Sequence, residues 1–420
     1  MLKLVLCCVL SYSFAGFAQL NDARRITKTV CSEEFHGRGY VNNGVEIASQ
    51  FIAKEFKKIG AKPIKRNYFQ AFQHAVNTFP GKMLVQQNDR VLKPGIHFIV
   101  DPSSGGGKFD LYPNKITIAT ALNTQLLEEE LKKMLLEKKF NAISFNSSRL
   151  SADTLKKLEA LKEELAHFIP VIEIVQSKFT WSVASEQQQF PIIQLQDSVY
   201  QQDSHYTIHI DAIELPNFTS KNVIAYLPGK NKKLAPFVFT AHYDHLGRMG
   251  RDTYFPGAND NASGTAMLLY LAEQVLAKPL KFNVLFVAFA GEEIGLLGSK
   301  HMSLQSPLPL EDLRFMLNLD IMGSGEDGIT VVNSTLFPKE FDLLKSINAK
   351  KKLLKEIKPR GPAANSDHYY FTQAGVPAFF IYTMGPNKHY HDIDDRYEAL
   401  SFAAFDELNK ILLRFLKSIK

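Results

Sequence analysis

The stretch Ala235-Pro236-Phe237-Val238-Phe239-Thr240-Ala241-His242-Tyr243-Asp244-His245-Leu246-Gly247 decides how this chain is read. Its mostly apolar first half, Ala235 to Thr240, has the length and composition of a short buried strand. The strand ends on a His-x-Asp pair. A rigid strand that releases ligand-type side chains where it leaves the sheet is how α/β folds build polar sites. His242 can offer an imidazole nitrogen to a divalent metal. Asp244, two residues on along an extended chain, lies on the same side and can accept the other ring N–H, fixing the tautomer. His245 reads as a bystander. A single His-x-Asp also occurs in ordinary turns, so the neighbouring segments carry the decision.

Working outward, the chain from Lys221 alternates strand, loop and helix. Asn222 to Leu227, Phe315 to Leu319 and Ala378 to Tyr382 read as strands, and Asn283 to Ala290 is a nearly continuous apolar run. Gly264 to Leu276 reads as a helix with Ala266, Leu269 and Tyr270 among its apolar positions. Phe402, Phe405, Leu408, Leu412 and Phe415 mark an amphipathic closing helix. This alternation predicts an α/β fold, a mostly parallel mixed sheet with helices on both faces.

Upstream, Asp22 to Pro63 reads as holding one helix: Val45, Ala48, Ile52, Phe56 and Ile59 fall at helical spacing, and Gly60 stops it. The preceding His36-Gly37-Arg38-Gly39 reads as a surface loop. From about Val76 to Pro216 the texture changes. Ser103 to Gly107 is a flexible loop, Gln125 to Glu137 and Ser151 to Ala166 are helical with solvated charged faces, and four β-like runs are interleaved: Lys115 to Thr120, Ala142 to Phe145, Ile169 to Ile174 and Phe190 to Leu195. Nothing there has catalytic spacing. The segment is expected to be an inserted smaller α/β domain, dispensable for metal binding. The expected division is a leader at 1–18, an N-terminal part of the main domain at 19–76, the insert at 77–215 and the catalytic domain at 216–420.

The 420 residues are 45% hydrophobic and 22% charged, with net charge +6. The basic residues are scattered, as on a solvated surface, which argues against a nucleic-acid partner. Met1 to Ala18 carries Lys3, an apolar run from Leu4 to Phe17 and small residues at the cleavage positions, which predicts a signal peptide and export to the periplasm or beyond. The run is too short for a comfortable membrane span, and no other stretch qualifies. With the leader go Cys7 and Cys8, leaving Cys31 and no internal disulfide.

Four further elements gather chemistry. Gly257 to Gly264 is a tight loop with Asp260 just before a helix. Glu292 and Glu293 follow a buried strand, and as neighbours on an extended chain their side chains would point to opposite sides. Asp320 ends Asn318-Leu319-Asp320, and His389-Tyr390-His391-Asp392-Ile393-Asp394-Asp395 lies further on. Groups at the carboxyl ends of parallel strands can converge on one crevice, and two His with several carboxylates suit zinc or a similar divalent ion.

Taken together with Ser366-Asp367-His368, these motifs resemble the co-catalytic di-zinc aminopeptidase family (peptidase family M28), in the family's own order. The resemblance covers Lys221 to Lys420 strongly and Asp22 to Pro63 weakly. It implies two zinc ions: His242, Asp260 and Asp320 on one, Asp260, Glu293 and His391 on the other, with Asp260 bridging. It makes Glu292 the general base acting on a metal-activated water, keeps Asp244 beside His242, and implies removal of N-terminal residues from peptides. His389 competes with His391, but the Asp four residues after His391 fits the family spacing. The insert is similar to a protease-associated domain in position and element order. Where some members place a Tyr before the Ser of Ser-Asp-His, this chain has Pro362-Ala363-Ala364-Asn365, so Tyr382 or a metal would have to serve the oxyanion. The alternatives are a one-zinc glutaminyl cyclase of the same fold, a carboxypeptidase of the same family, and a non-catalytic binding protein. The intact Glu292 beside a full ligand set disfavours the last.

Overall fold

The structure is a computed structural model that describes residues 20–419. The expected leader at 1–18 lies outside the described residues. The main sheet has nine strands: β1 (Lys62–Pro63), β2 (Phe69–Thr78), β3 (Ile213–Leu227), β4 (Phe237–His242), β5 (Val284–Phe289), β6 (Phe315–Asp320), β7 (Gly328–Val332), β8 (Ile357–Pro359) and β9 (Ala378–Met384). Their order is β1-β3-β5-β4-β6-β9-β7-β8, with β2 also paired to β3. The central four, β5-β4-β6-β9, run parallel, while β3 and β7 are antiparallel to their inner neighbours. This is the mixed α/β sheet that the alternating pattern predicts.

Every residue of β4, β5 and β6 is buried, as befits strands covered on both faces. The pleat sends Phe237 and Phe239 into one core and Val238 into the other. The first core is closed by α1 (Gly44–Ile59), α2 (Gly264–Ala277), α4 (Pro338–Lys351) and α6 (Phe405–Ser418). The second is closed by α3 (Leu297–Leu304) and α5 (His368–Gln373). No helix among the described residues is long and apolar enough to cross a membrane.

Between β2 and β3 the chain builds two further sheets, of five and four strands. Val171–Val175 lies parallel between Ala142–Asn146 and Ile192–Gln196, and the helices Thr124–Glu137 and Ala152–Leu165 flank this sheet with their own apolar cluster. The entry and exit strands pair antiparallel from Phe69↔Val223 to Thr78↔Ile213, so positions 77 and 215 both lie within one paired ribbon. A separate apolar cluster joins Phe98, Trp181 and Ile193 of this region to Leu246, Met249 and Phe255, which follow β4.

Three local readings need correction. Lys115 to Thr120 is not one strand: pairing ends at Lys115, and the Thr117 hydroxyl caps a helix at Ile118–Ala121 by accepting from Thr120 N–H. Lys162 is not on a solvated face: it is buried, 2.5 Å from both Glu159 and Glu173. A helix over 20–30, with Ala23, Ile26, Thr27 and Val30 buried, precedes the one that was read.

Candidate metal centre

The parallel strands release their last residues at one end of the sheet. β4 ends at His242, β6 ends at Asp320, and the turn after β5 carries Glu292 and Glu293. Asp260 comes from the loop before α2 and His391 from the loop after β9. All converge around Asp260. His242 Nε2 is 3.3 Å from Asp260 Oδ1 and 3.4 Å from Asp320 Oδ1. On its other side Asp260 Oδ2 is 3.1 Å from His391 Nε2, which is also 3.1 Å from Glu293 Oε2. Asp260 therefore stands between two groups, one formed with His242 and Asp320, the other with Glu293 and His391. His389, the competing histidine, is exposed and faces Asp392 instead.

The surrounding bonds explain why these side chains hold their places. Asp395 accepts from the N–H groups of Asn259 and Asp260 at 2.9 to 3.1 Å, pinning the Asp260 loop. Burial lifts Asp395 to about 7, against those backbone donors. Thr240 donates to Asn318, Asn318 donates to Ser366, and Ser366 reaches Asp320 Oδ2 at 3.3 Å. The other oxygen, Asp320 Oδ1, is buried without an aligned hydrogen-bond partner among the described residues. Tyr390 stacks on the His391 ring at 3.9 Å. Tyr382, the sequence's substitute for the oxyanion role, is engaged through its hydroxyl by Arg360 at 3.1 Å.

Three expectations change here. The nearer partner of His242 Nδ1 is the main-chain carbonyl of Asp244, at 3.2 Å, whereas its carboxylate is 3.8 Å away. That carboxylate instead accepts from the N–H groups of Glu292 and Glu293, both at 3.3 Å, and so shapes the turn that carries them. Burial raises it to about 6. His245 is no bystander: fully buried, it sits with Nδ1 2.6 Å from Glu293 Oε1. Burial lowers its pKa, so the neutral ring donates to Glu293. Finally, Glu292 and Glu293 lie in a tight turn, with Leu296 N–H bonding back to Glu292 O at 2.9 Å, rather than on extended chain. What separates them is their partners. Glu293 is gripped by two histidines, and Glu292 has no ion pair among the described residues.

Sequence reasoning missed Arg38. It is buried, and its guanidinium donates to the carbonyls of Val30, Tyr243, Pro256, Gly257 and Asp260 at 2.7 to 3.2 Å. It ties the His-x-Asp segment to the Asp260 loop. Its neighbour Gly39 lies so close to Gly247 that an added Cβ would be 2.3 Å from the Gly247 Cα. The one available signal was that Gly-Arg-Gly spacing, which marks a close backbone approach.

Charge decides what the site can hold. Asp244, Asp260, Glu292, Glu293 and Asp320 crowd one crevice, and no Lys or Arg forms an ion pair with any of them among the described residues. The imidazoles supply most of the balance, with the buried Arg38 guanidinium acting from behind the Asp260 loop. Burial opposes charge on His391, yet Glu293 and Asp260 outweigh it and raise its pKa to about 11. Burial likewise pushes Glu293 up, but His391 and His245 hold it down at about 2. Glu292 goes the other way: burial, with Glu293, Asp367 and Asp320 nearby, lifts it well above the usual range against the pull of His242. A cluster of carboxylates and imidazole nitrogens with too little positive charge is the donor set of a divalent metal centre.

Comparison with known proteins bears on the family and the fold. Residues 222–416 match the profile described as peptidase family M28. Aminopeptidase YwaD of Bacillus subtilis (strain 168) is 32% identical over 194 residues, covering 44% of this chain and 41% of that protein. A probable leucine aminopeptidase of Trichophyton verrucosum (strain HKI 0517) is 32% identical over 204 residues, 46% of this chain and 56% of the other. The chain thus spans about half the length of the curated relatives it matches. The fold is shared along nearly the whole chain with BSAP, a zinc aminopeptidase from Bacillus subtilis, at TM-score 0.67, 19% identity and 94% coverage of each chain. An aminopeptidase from Aneurinibacillus sp. strain AM-1 aligns at TM-score 0.62 and 18% identity, covering 96% of this chain and 95% of its own.

Proposed function

We propose, on the premise that residues 222–416 belong to peptidase family M28, that this chain is an exported zinc aminopeptidase that removes N-terminal residues from peptides. The observation that carries the reading is the placement of Asp260 between His242 with Asp320 and His391 with Glu293, each group within 3.1 to 3.4 Å. In this proposal His242, Asp260 and Asp320 hold one zinc, Asp260, Glu293 and His391 the other. Asp244 orients the first group and shapes the glutamate turn. The names of the curated relatives support the aminopeptidase reading, and the apolar run from Leu4 to Phe17 behind Lys3 supports export.

Zinc, when bound, lowers the pKa of its water to about 7 and polarises the scissile carbonyl. The chain's own part is proton handling and positioning. Glu292 is half-buried and free of ion pairs among the described residues, so it can take a proton from the attacking water. The same carboxyl then returns that proton to the leaving amine. Glu293, held by His245 and His391, has no such freedom.

Elemental analysis of the reconstituted protein is expected to approach two zinc ions per chain. Chelation should abolish peptide hydrolysis and added zinc should restore it. A stable content near one, with full activity, would overturn the two-metal assignment in favour of a one-zinc cyclase.

A further inference from the structure

The insert reaches the metal centre. His391 Nδ1 lies 2.9 Å from the main-chain carbonyl of Trp181, and the Trp181 N–H donates to His391 O at 2.9 Å. A carbonyl can only accept, so Nδ1 carries the proton. Nε2 is the ring nitrogen that faces Asp260 and Glu293, and the one that would offer its lone pair to a metal. Trp181 is itself held on two sides. Its indole N–H donates to Val100 O at 2.7 Å within the insert, and its ring stacks on Phe255 of the main domain at 4.5 Å. The ring is 3% exposed. Among the described residues, the Trp181 carbonyl is the polar partner of His391 Nδ1, and the return bond from Trp181 N–H to His391 O holds the two backbones together.

We infer that Trp181 is a positioning residue for the second metal position, and that the insert is therefore part of the centre rather than an appendage. On this inference the insert is needed for full metal binding, contrary to the expectation that it is dispensable. That expectation looked for ligand-type side chains, and the contact is made by a main-chain carbonyl. His242 obtains the same service locally, from the carbonyl of Asp244 two residues on. His391 has no such local partner. It borrows one from a residue 210 positions away, across the domain boundary. Outer partners of this kind set ring orientation and ligand basicity, and losing one typically weakens metal affinity by roughly 10–100-fold.

The inference rests on His391 being a zinc ligand, and the test separates the two claims. Metal content of the full-length protein is measured by dialysis against zinc buffers of stepped free concentration, for wild type, Trp181→Ala, Trp181→Phe and His391→Ala. The expected result is that Trp181→Ala loses one of its zinc ions at a free concentration that keeps wild type fully loaded. It should regain that ion at a concentration roughly 10–100-fold higher. Trp181→Phe keeps the stack on Phe255 and should fall between the two. Should the alanine variant fail to fold, histidine 15N spectra of zinc-loaded wild type decide instead: Nδ1 of His391 should be protonated and Nε2 metal-bound. A folded Trp181→Ala that loads zinc like wild type, or metal on Nδ1, overturns the inference while leaving the zinc site standing. If His391→Ala also loads like wild type, the ligand assignment fails and the inference with it.

Discussion

Glu292→Gln is expected to lower kcat by roughly 10²–10⁴ while the fold and the zinc content stay as in wild type. The amide keeps the size and hydrogen bonding of the carboxyl but cannot accept a proton. Glu292 makes no ion pair among the described residues, so little structure depends on its charge. Glu293→Gln should behave differently. Glu293 faces His245 Nδ1 at 2.6 Å and His391 Nε2 at 3.1 Å, so neutralising it should weaken one zinc, with activity partly returning at higher zinc. Kinetics and metal content on the pair separate the roles. Normal turnover in Glu292→Gln would remove it as the base. Losses of stability alone in both variants would reduce the pair to turn-forming residues.

Arg38→Ala is expected to be among the most damaging single changes to stability, costing about 3–5 kcal/mol in equilibrium urea unfolding. The guanidinium satisfies five main-chain carbonyls from three separate segments, Val30, Tyr243 and the loop from Pro256 to Asp260. Removing it leaves buried acceptors unpaired, each costing about 1–3 kcal/mol before relaxation. Arg38→Lys should recover only part of the loss, because a point ammonium cannot reproduce the planar fork. Because Arg38 anchors both Tyr243 and the Asp260 loop, zinc affinity should fall together with stability. A loss below about 0.5 kcal/mol would mean that these carbonyls find other partners and that the loop holds itself.

The legibility of this molecule follows the kind of bond involved. The buried strands were readable because Phe237 to Phe239 and Val284 to Phe289 are apolar without interruption, and His242, Glu293 and Asp320 because they sit at or just past strand ends. The groups around Asp260 could be named because a metal centre needs side chains of particular types. Arg38 and Trp181 were not readable in the same way. Each acts through main-chain carbonyls, which every residue possesses, so no residue type at the far end announces the contact. His245 was hidden beside a stronger motif, and its role appears only once the Glu293 turn folds back on it. The division of labour between Glu292 and Glu293 follows from the family resemblance, not from an extended chain, and is supported by which of them the histidines grip. The long β3 strand was half-read because its first part, Ile213 to Thr219, is largely exposed and lacks the apolar signature of the rest.

The most direct test of the account is mass spectrometry of one peptide offered in three forms: with a free amino terminus, with that terminus acetylated, and with a free amino terminus but an amidated carboxyl end. The zinc-loaded protein should shorten the first and third from the amino end, leave the acetylated form intact, and lose all activity after chelation. Shortening from the carboxyl end, cyclisation of an N-terminal glutamine without hydrolysis, or cleavage that survives removal of the metal would contradict it.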